Sequence, residues 1–250
     1  MTEALTLDRI LGGRVALWQP RVGYRAGVDP VFLAASVAAR GGQSVLDLGC
    51  GAGAAALCLG ARVPGVRLVG LERQPLYADL ARRNGAENGL DFTVFEGDLA
   101  AMPGDLRQMR FDHVIANPPY FRRDRSVPAG DAAREGAHGE DTPLRAWVEA
   151  AARRCAPRGH VTFIQRVERL PELVAAFSDR LGSLEIFPLI PRKGRDAQLF
   201  LLRGRKEGRA VLRLHPGLVV HKGRAHERDG EDYTPDATAI LRDAQPLNIC

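Results

Sequence analysis

The stretch Phe111-Asp112-His113-Val114-Ile115-Ala116-Asn117-Pro118-Pro119-Tyr120 decides the fold. Its first six residues form an apolar run with the length and flanks of a buried parallel strand. A strand that ends in Asn-Pro-Pro-aromatic puts a carboxamide at the carboxyl edge of a sheet, where open α/β folds bind their ligands. Two consecutive prolines fix φ and turn Asn117 and Pro118 away from helical geometry. The carbonyls of this stiff segment serve no helix, and Tyr120 adds a flat surface beside them. Such a site suits a planar group bearing an NH2. The Asn117 amide oxygen and the Pro118 carbonyl accept its two hydrogens, and the Tyr120 ring stacks on its face. On this reading the ring alone carries the role of Tyr120. A proline-stiffened loop with Asn117 as a turn residue is the plain alternative.

Outward from that strand, the chain alternates strand and helix. Residues 44–48 form a strand, and Gly49-Cys50-Gly51-Ala52-Gly53 turns it into a helix over 54–62. Strands follow at 67–71, ending in Glu72, and at 92–95, ending in Glu96-Gly97-Asp98, with a helix from 75 to about 88 between them. Beyond Tyr120 come a polar loop over 121–142, a helix over 143–155, a strand over 160–164 and a helix over 171–181. A pair of strands at 184–190 and 197–202 closes the series. Short strands are expected at 211–214 and 218–220, and a last helix begins at Thr234-Pro235. Residues 1–28 mix polar and apolar side chains, 14–27 read as extended or looped, and Asp29-Pro30 starts a helix with Asp29 as its capping carboxylate. Alternating βα units imply an α/β fold with a mostly parallel sheet, helices on both faces and a closing antiparallel strand.

Composition sets loose bounds. The chain has 250 residues, 45% hydrophobic and 26% charged, as expected of an ordinary soluble domain. A formal charge of +5 leans towards an anionic partner such as nucleic acid. No basic, apolar leader opens the sequence and no apolar run approaches a membrane span, so a cytoplasmic protein is expected. Its four cysteines lack a CxxC pair, and Cys58 and Cys155 fall in helical apolar patterns as packed thiols.

Asp47-x-Gly49-x-Gly51-x-Gly53 sits at a strand-to-helix turn, with glycines where a nucleotide cofactor approaches the backbone. Glu72, 19 positions after Gly53, ends the next strand, where a carboxylate accepts from ribose hydroxyls. These features suit NAD and S-adenosylmethionine alike. Asp47 tips the choice: it can face the methionine ammonium, whereas a pyrophosphate there would be repelled. Asp98, beside Leu99, ends the third of these strands and can accept an adenine amino group.

With these residues in place, the chain resembles the Rossmann-like, seven-stranded S-adenosylmethionine-dependent methyltransferases. Asn117-Pro-Pro-Tyr120 looks like the signature of those that methylate a planar amino nitrogen. The stretches Gly23-Tyr-Arg-Ala-Gly-Val-Asp-Pro-Val-Phe-Leu33, Ala133-Arg-Glu135, Val219-Val-His221 and Tyr233-Thr-Pro235 narrow the likeness. It is to the bacterial tRNA adenine-N6 methyltransferases that modify the adenine next to the anticodon of a valine tRNA. The resemblance implies that Tyr24, Gly27, Asp47, Gly49, Gly51, Gly53, Glu72, Asp98, Leu99 and Asn117 surround the cofactor, and that Asn117, Pro118 and Tyr120 hold the base. It implies a cofactor-covering segment over 1–42, a methyltransferase core over 43–208 and a small extension over 209–250.

No metal is expected: His215, His221 and His226 lack ligand spacing and read as loop or RNA-facing residues, and His113 as a packed one. For RNA, Arg122, Arg123 and Arg125 follow the motif, Arg192, Lys193 and Arg195 lie in the closing hairpin, and Arg203 follows. Three other readings stay open: a protein glutamine N5-methyltransferase, an rRNA guanine-N2 methyltransferase, and a non-catalytic RNA-binding module on this fold. The first usually carries a helical domain ahead of the core, and only about forty residues precede Val45.

Overall fold

Alternate residues of a strand face opposite sides of a sheet. In β3 (Ser44–Leu48) and β6 (Phe111–Ala116), Val45 and Ile115 join one hydrophobic cluster, whereas Leu46, Leu48, Val114 and Ala116 join another. Both sides of these strands are buried, which is why they read as near-continuous apolar runs. The computed structural model describes residues 4–120, 142–223 and 232–247.

The remaining strands are β4 (Arg67–Glu72), β5 (Phe92–Glu96), β7 (Cys155–Arg166), β8 (Gly182–Arg192), β9 (Leu199–Arg205), β10 (Arg213–Leu214) and β11 (Leu218–His221). With β3 and β6 they form one sheet in the order β10-β8-β9-β7-β6-β3-β4-β5, and β11 also pairs with β8. All pairings are parallel except those of β9, which runs antiparallel to β7 and β8. The seven expected strands make the body of this sheet. The two short ones add a further row along the outer edge of β8, so the sheet has nine strands.

One face carries α1 (Asp29–Ser36), α2 (Ala54–Arg62), α3 (Pro75–Glu87) and α7 (Pro235–Asp243). The other carries the short α4 (Gly104–Gln108), α5 (Leu144–Arg154) and α6 (Leu170–Ser178). Thr234 caps α7 by accepting from the Ala237 amide, and Pro235 occupies its first turn, as the sequence pattern predicts. The first helix differs. Its N-cap is Val28, without a side-chain cap, so Asp29 lies inside the first turn with its carboxylate committed elsewhere.

The amino-terminal stretch, of which 14–27 reads as extended or looped, is a hairpin of β1 (Leu5–Ile10) and β2 (Val15–Pro20). Two carboxamides, one on α3 and one at its C-cap, dock it. Asn84 accepts from the Trp18 amide at 2.8 Å and donates to the Trp18 carbonyl at 3.1 Å. Asn88, one turn on, accepts from the Ala16 amide at 2.9 Å and donates to its carbonyl at 2.7 Å. These side chains give β2 the backbone partners that a neighbouring strand would otherwise supply.

Candidate active site at the carboxyl edge of the sheet

Register brings the acidic strand ends and the Asn-Pro-Pro segment to one edge. Asp47 pairs with Gly70 on one side and Ile115 on the other, and Glu72 pairs with Glu96. Asp47 is 3% exposed, and its Oδ2 has no hydrogen-bond partner among the described residues. Burial pushes its carboxyl up to about 8; the Ala56 backbone opposes that shift and the nearby Glu72 charge adds to it. A buried carboxylate oxygen without a donor is costly, and a cationic donor group is what it lacks.

The glycine turn is held closed by the next strand. The Gly51 amide donates to Glu72 Oε2 and the Gln74 amide to Oε1, both at 2.9 Å. Each oxygen keeps a further acceptor site, so the carboxylate can order the turn and still receive hydroxyls. Gly49 has φ +66°, and a Cβ there would lie 2.5 Å from the Trp147 ring of α5. Only glycine meets both demands. Gly51 and Gly53 also have positive φ, and the Tyr24 ring lies beside Gly51.

Tyr24 is 45% exposed as a residue, while its phenol is crowded by the atoms around it. That crowding, then the charges of Asp29, Asp47, Tyr77 and Glu72, holds its proton well above the usual tyrosine range. Its carbonyl accepts from the Tyr77 hydroxyl at 3.0 Å. The next residue, Arg25, reaches back to Asp8 at 2.6 Å and Thr6 at 2.7 Å, tying the segment to the hairpin. Gly27 is exposed with open space around it. Asp98 accepts from the Ala100 amide at 2.8 Å and lies 3.7 Å from the Arg73 guanidinium, and Leu99 packs half-buried on the second core cluster.

Asn117 is half-buried, and its carboxamide makes no hydrogen bond among the described residues. Its two neighbours are supported from behind. The Pro118 carbonyl accepts from Gln165 Nε2 at 3.3 Å, and Gln165, fully buried on β7, is itself oriented by the Arg166 amide at 2.9 Å. Tyr120 donates its hydroxyl to Asp29 Oδ2 at 2.5 Å. Burial, then the Asp29 charge, keeps that phenol protonated far above its ordinary range. Neither Gln165 nor the Tyr120–Asp29 contact is visible in the motif itself. The signal for Gln165 is a polar residue closing the apolar run His160-Val-Thr-Phe-Ile164 on the strand beside Asn117.

The basic residues divide. Arg122, Arg123 and Arg125 lie outside the described residues, as do Ala133-Arg-Glu135 and His226. Lys193 and Arg195 are exposed in the turn after β8. Arg192 is paired with Asp232 at 2.5 Å and donates to the Lys222 carbonyl. Arg203 pairs with Glu185 along the sheet. His215 is not RNA-facing: it is 7% exposed, against Phe187 and 3.4 Å from Glu185. His113 is packed, stacked on His160 in a cavity of about 530 Å³ at the opposite edge of the sheet, far from the candidate residues. Among the described residues no cluster of histidine, cysteine or acidic side chains is arranged to hold a metal, and no helix is long and apolar enough to cross a membrane.

The methyltransferase small domain family matches residues 26–135, which carry the glycine turn, all the acidic strand ends and the Asn-Pro-Pro-Tyr segment. A tRNA1(Val) (adenine(37)-N6)-methyltransferase of Actinobacillus succinogenes is 30% identical over 191 residues, covering 75% of this chain and 79% of that one. The chain belongs to this family. A Porphyromonas gingivalis protein of the same name is 33% identical over 158 residues, 60% of this chain and 61% of its own length, so that match spans about three-fifths of the relative. Among solved structures, a predicted O-methyltransferase from Agrobacterium tumefaciens superposes with TM-score 0.70 at 28% identity, over 88% of this chain and 98% of the other. The fold is that of the Rossmann-like S-adenosylmethionine-dependent methyltransferases. In the tail, β11 and the segment into α7 hold Val219-Val-His221 and Tyr233-Thr-Pro235, joined by an antiparallel bridge between His221 and Tyr233.

Proposed function

We propose that the chain methylates the N6 amine of an adenine in RNA, with S-adenosylmethionine as cofactor and the adenine next to the anticodon of a transfer RNA as substrate. The observation that carries this reading is the Asn117 carboxamide, unpartnered among the described residues, one strand from the unpartnered buried oxygen of Asp47. The Actinobacillus and Porphyromonas relatives carry adenine-N6 and tRNA in their names, and on this reading the enzyme works in the cytoplasm. In this reading residues 1–42 cover the cofactor, 43–208 are the core and 209–250 an extension packed on it.

The residues present fit the cofactor. Asp47 Oδ2 suits an ammonium, Glu72 retains acceptor sites for ribose hydroxyls, Asp98 would accept from an adenine amino group, and Tyr24, beside Gly51, would cover the cofactor together with Gly27. When bound, S-adenosylmethionine supplies an electrophilic methyl group on a sulfonium, a good leaving group. The protein's task is with the acceptor. An exocyclic amine delocalises its lone pair into the base and is a weak nucleophile. Asn117 and the Pro118 carbonyl accept its two hydrogens, drawing the nitrogen towards tetrahedral geometry and localising the pair. The Gln165 bond consumes one acceptor site of that carbonyl and fixes its direction, leaving the other for the amine. Tyr120 stacks on the base, with its ring set by Asp29. Positioning supplies the rest of the rate.

Incubation with labelled cofactor and total tRNA, followed by nucleoside mass spectrometry, tests this. N6-methyladenosine is the expected product. Methylated guanosine, or label in a release-factor glutamine and none in tRNA, would overturn it.

A further inference from the structure

We infer that His221, backed by Tyr233, is a stacking platform for a second nucleotide of the RNA, outside the pocket at Asn117. This rests on the RNA reading above and extends it to a recognition surface.

The topology places the pair on the substrate edge. Because β9 is antiparallel to both β7 and β8, β8 runs with β7, and β11 runs parallel to β8. The carboxyl end of β11 therefore shares an edge with Asn117. Ala116 is level with Phe163, Phe163 with Leu202 and Leu202 with Ile186, so Asn117 is level with Phe187. His221 is level with Arg192, five residues further on. The end of β11 thus overshoots the pocket by roughly 16 Å and, being the fourth strand from β6 through β7, β9 and β8, stands about 19 Å to one side. A single base cannot bridge that gap, but a folded RNA can.

The rings are arranged to receive a base. His221 and Tyr233 stack with centroids 5.0 Å apart and planes at 26°. Tyr233 packs on the core behind, and the His221 side chain is 33% exposed. Asp232 fixes the imidazole, with its Oδ1 2.6 Å from His221 Nδ1 and its Oδ2 paired to Arg192. Nδ1 is thereby committed, and Nε2 has no hydrogen bond among the described residues. Arg192 is thus a positioning residue, and the phosphate-facing charges are the exposed Lys193, Arg195 and Lys222 beside it. A partly exposed ring with cations on the neighbouring turn is how single-stranded nucleotides are held. Backbone closure of this segment needs none of it. The Lys222 amide to the Asp232 carbonyl and the Thr234 amide to the Val220 carbonyl already provide that closure.

The test compares wild type, His221→Ala and His221→Phe for affinity towards total tRNA, for kcat and KM with that tRNA, and for affinity towards S-adenosylhomocysteine. His221→Ala should weaken tRNA binding and raise KM by roughly 5- to 150-fold, the equivalent of one lost base stack. Its kcat should stay within about twofold and its cofactor affinity should not change. His221→Phe should recover most of the loss. An unchanged tRNA affinity in His221→Ala, or a parallel fall in cofactor affinity and kcat, overturns the platform. In the unsubstituted protein, tRNA should slow carbethoxylation of His221, read by peptide mass spectrometry; an unaltered rate also overturns it. If tRNA binds with this His221 dependence but is never methylated, the platform stands and the proposed reaction fails.

Discussion

At the scale of single residues, Tyr120 shows how a contact changes an expectation. A ring that only stacks would make Tyr120→Phe nearly silent. The hydroxyl instead donates to Asp29, whose carboxyl is held above its ordinary range by burial and pulled back by this bond and the Arg166 charge. Tyr120→Phe should cost about 1.5–3 kcal/mol in stability, the worth of a hydrogen bond to a charged group. A double-mutant cycle with Asp29→Asn, followed by denaturant melts, should show strong coupling between the pair. Asn117→Ala should lower kcat by on the order of 10²–10³ in single-turnover assays, the loss expected of a positioned transition-state hydrogen bond. Asp47 gives a pH signature. Its carboxyl titrates near 8 folded and near 3.9 unfolded, so the folded chain holds the extra proton across about pH 4–8. The contribution of Asp47 to stability is therefore present below that window and lost as pH rises through it. Asp47→Asn does not titrate, so its stability relative to wild type should climb between pH 5 and 8 in urea melts. It should also weaken S-adenosylhomocysteine binding by about 1.5–3 kcal/mol, by calorimetry.

At the scale of elements, the hairpin of β1 and β2 depends on one helix face. Asn84 is fully buried and makes three bonds, to the Trp18 amide, the Trp18 carbonyl and the Ala52 carbonyl at 2.9 Å. It therefore ties the hairpin, α3 and the glycine turn together. Asn84→Ala should cost about 2–3 kcal/mol, each lost bond contributing near 1. Hydrogen exchange should accelerate at Ala16 and Trp18 ahead of the sheet. The Arg83 guanidinium, 4.0 Å above the Trp18 ring, adds a further contact on this docking face. Apolar spacing in 1–28 gives no hint of this, because β2 satisfies its backbone against side chains.

At the scale of the whole molecule, charge is sorted by tertiary pairing rather than by sequence density. The run of cations from 192 to 222 looks uniform in the chain, yet Arg192 and Arg203 are held by Asp232 and Glu185, while Lys193, Arg195 and Lys222 face solvent. RNA affinity should fall with salt by about 0.7 log unit per neutralised phosphate for each decade of salt. Replacing Lys193 and Arg195 with alanine should flatten that slope in filter-binding titrations without altering cofactor affinity. Arg192→Ala should lower the melting temperature as well, because it removes the Arg192–Asp232 ion pair.

The strand periodicity, the glycine turn, the acidic strand ends and the Asn-Pro-Pro-Tyr segment were all legible in the chain, because each is written by neighbours within a few residues. Alternation fixes a strand's faces, a positive φ favours glycine, and consecutive prolines stiffen whatever backbone they occupy. What only the tertiary structure decided are partnerships between distant residues. Tyr120 meets Asp29 across 91 positions, Asn84 meets Trp18 across 66, and Arg192 meets Asp232 across 40. A side chain's polarity says that it needs a partner when buried, but packing of the helices on the sheet decides which partner it reaches.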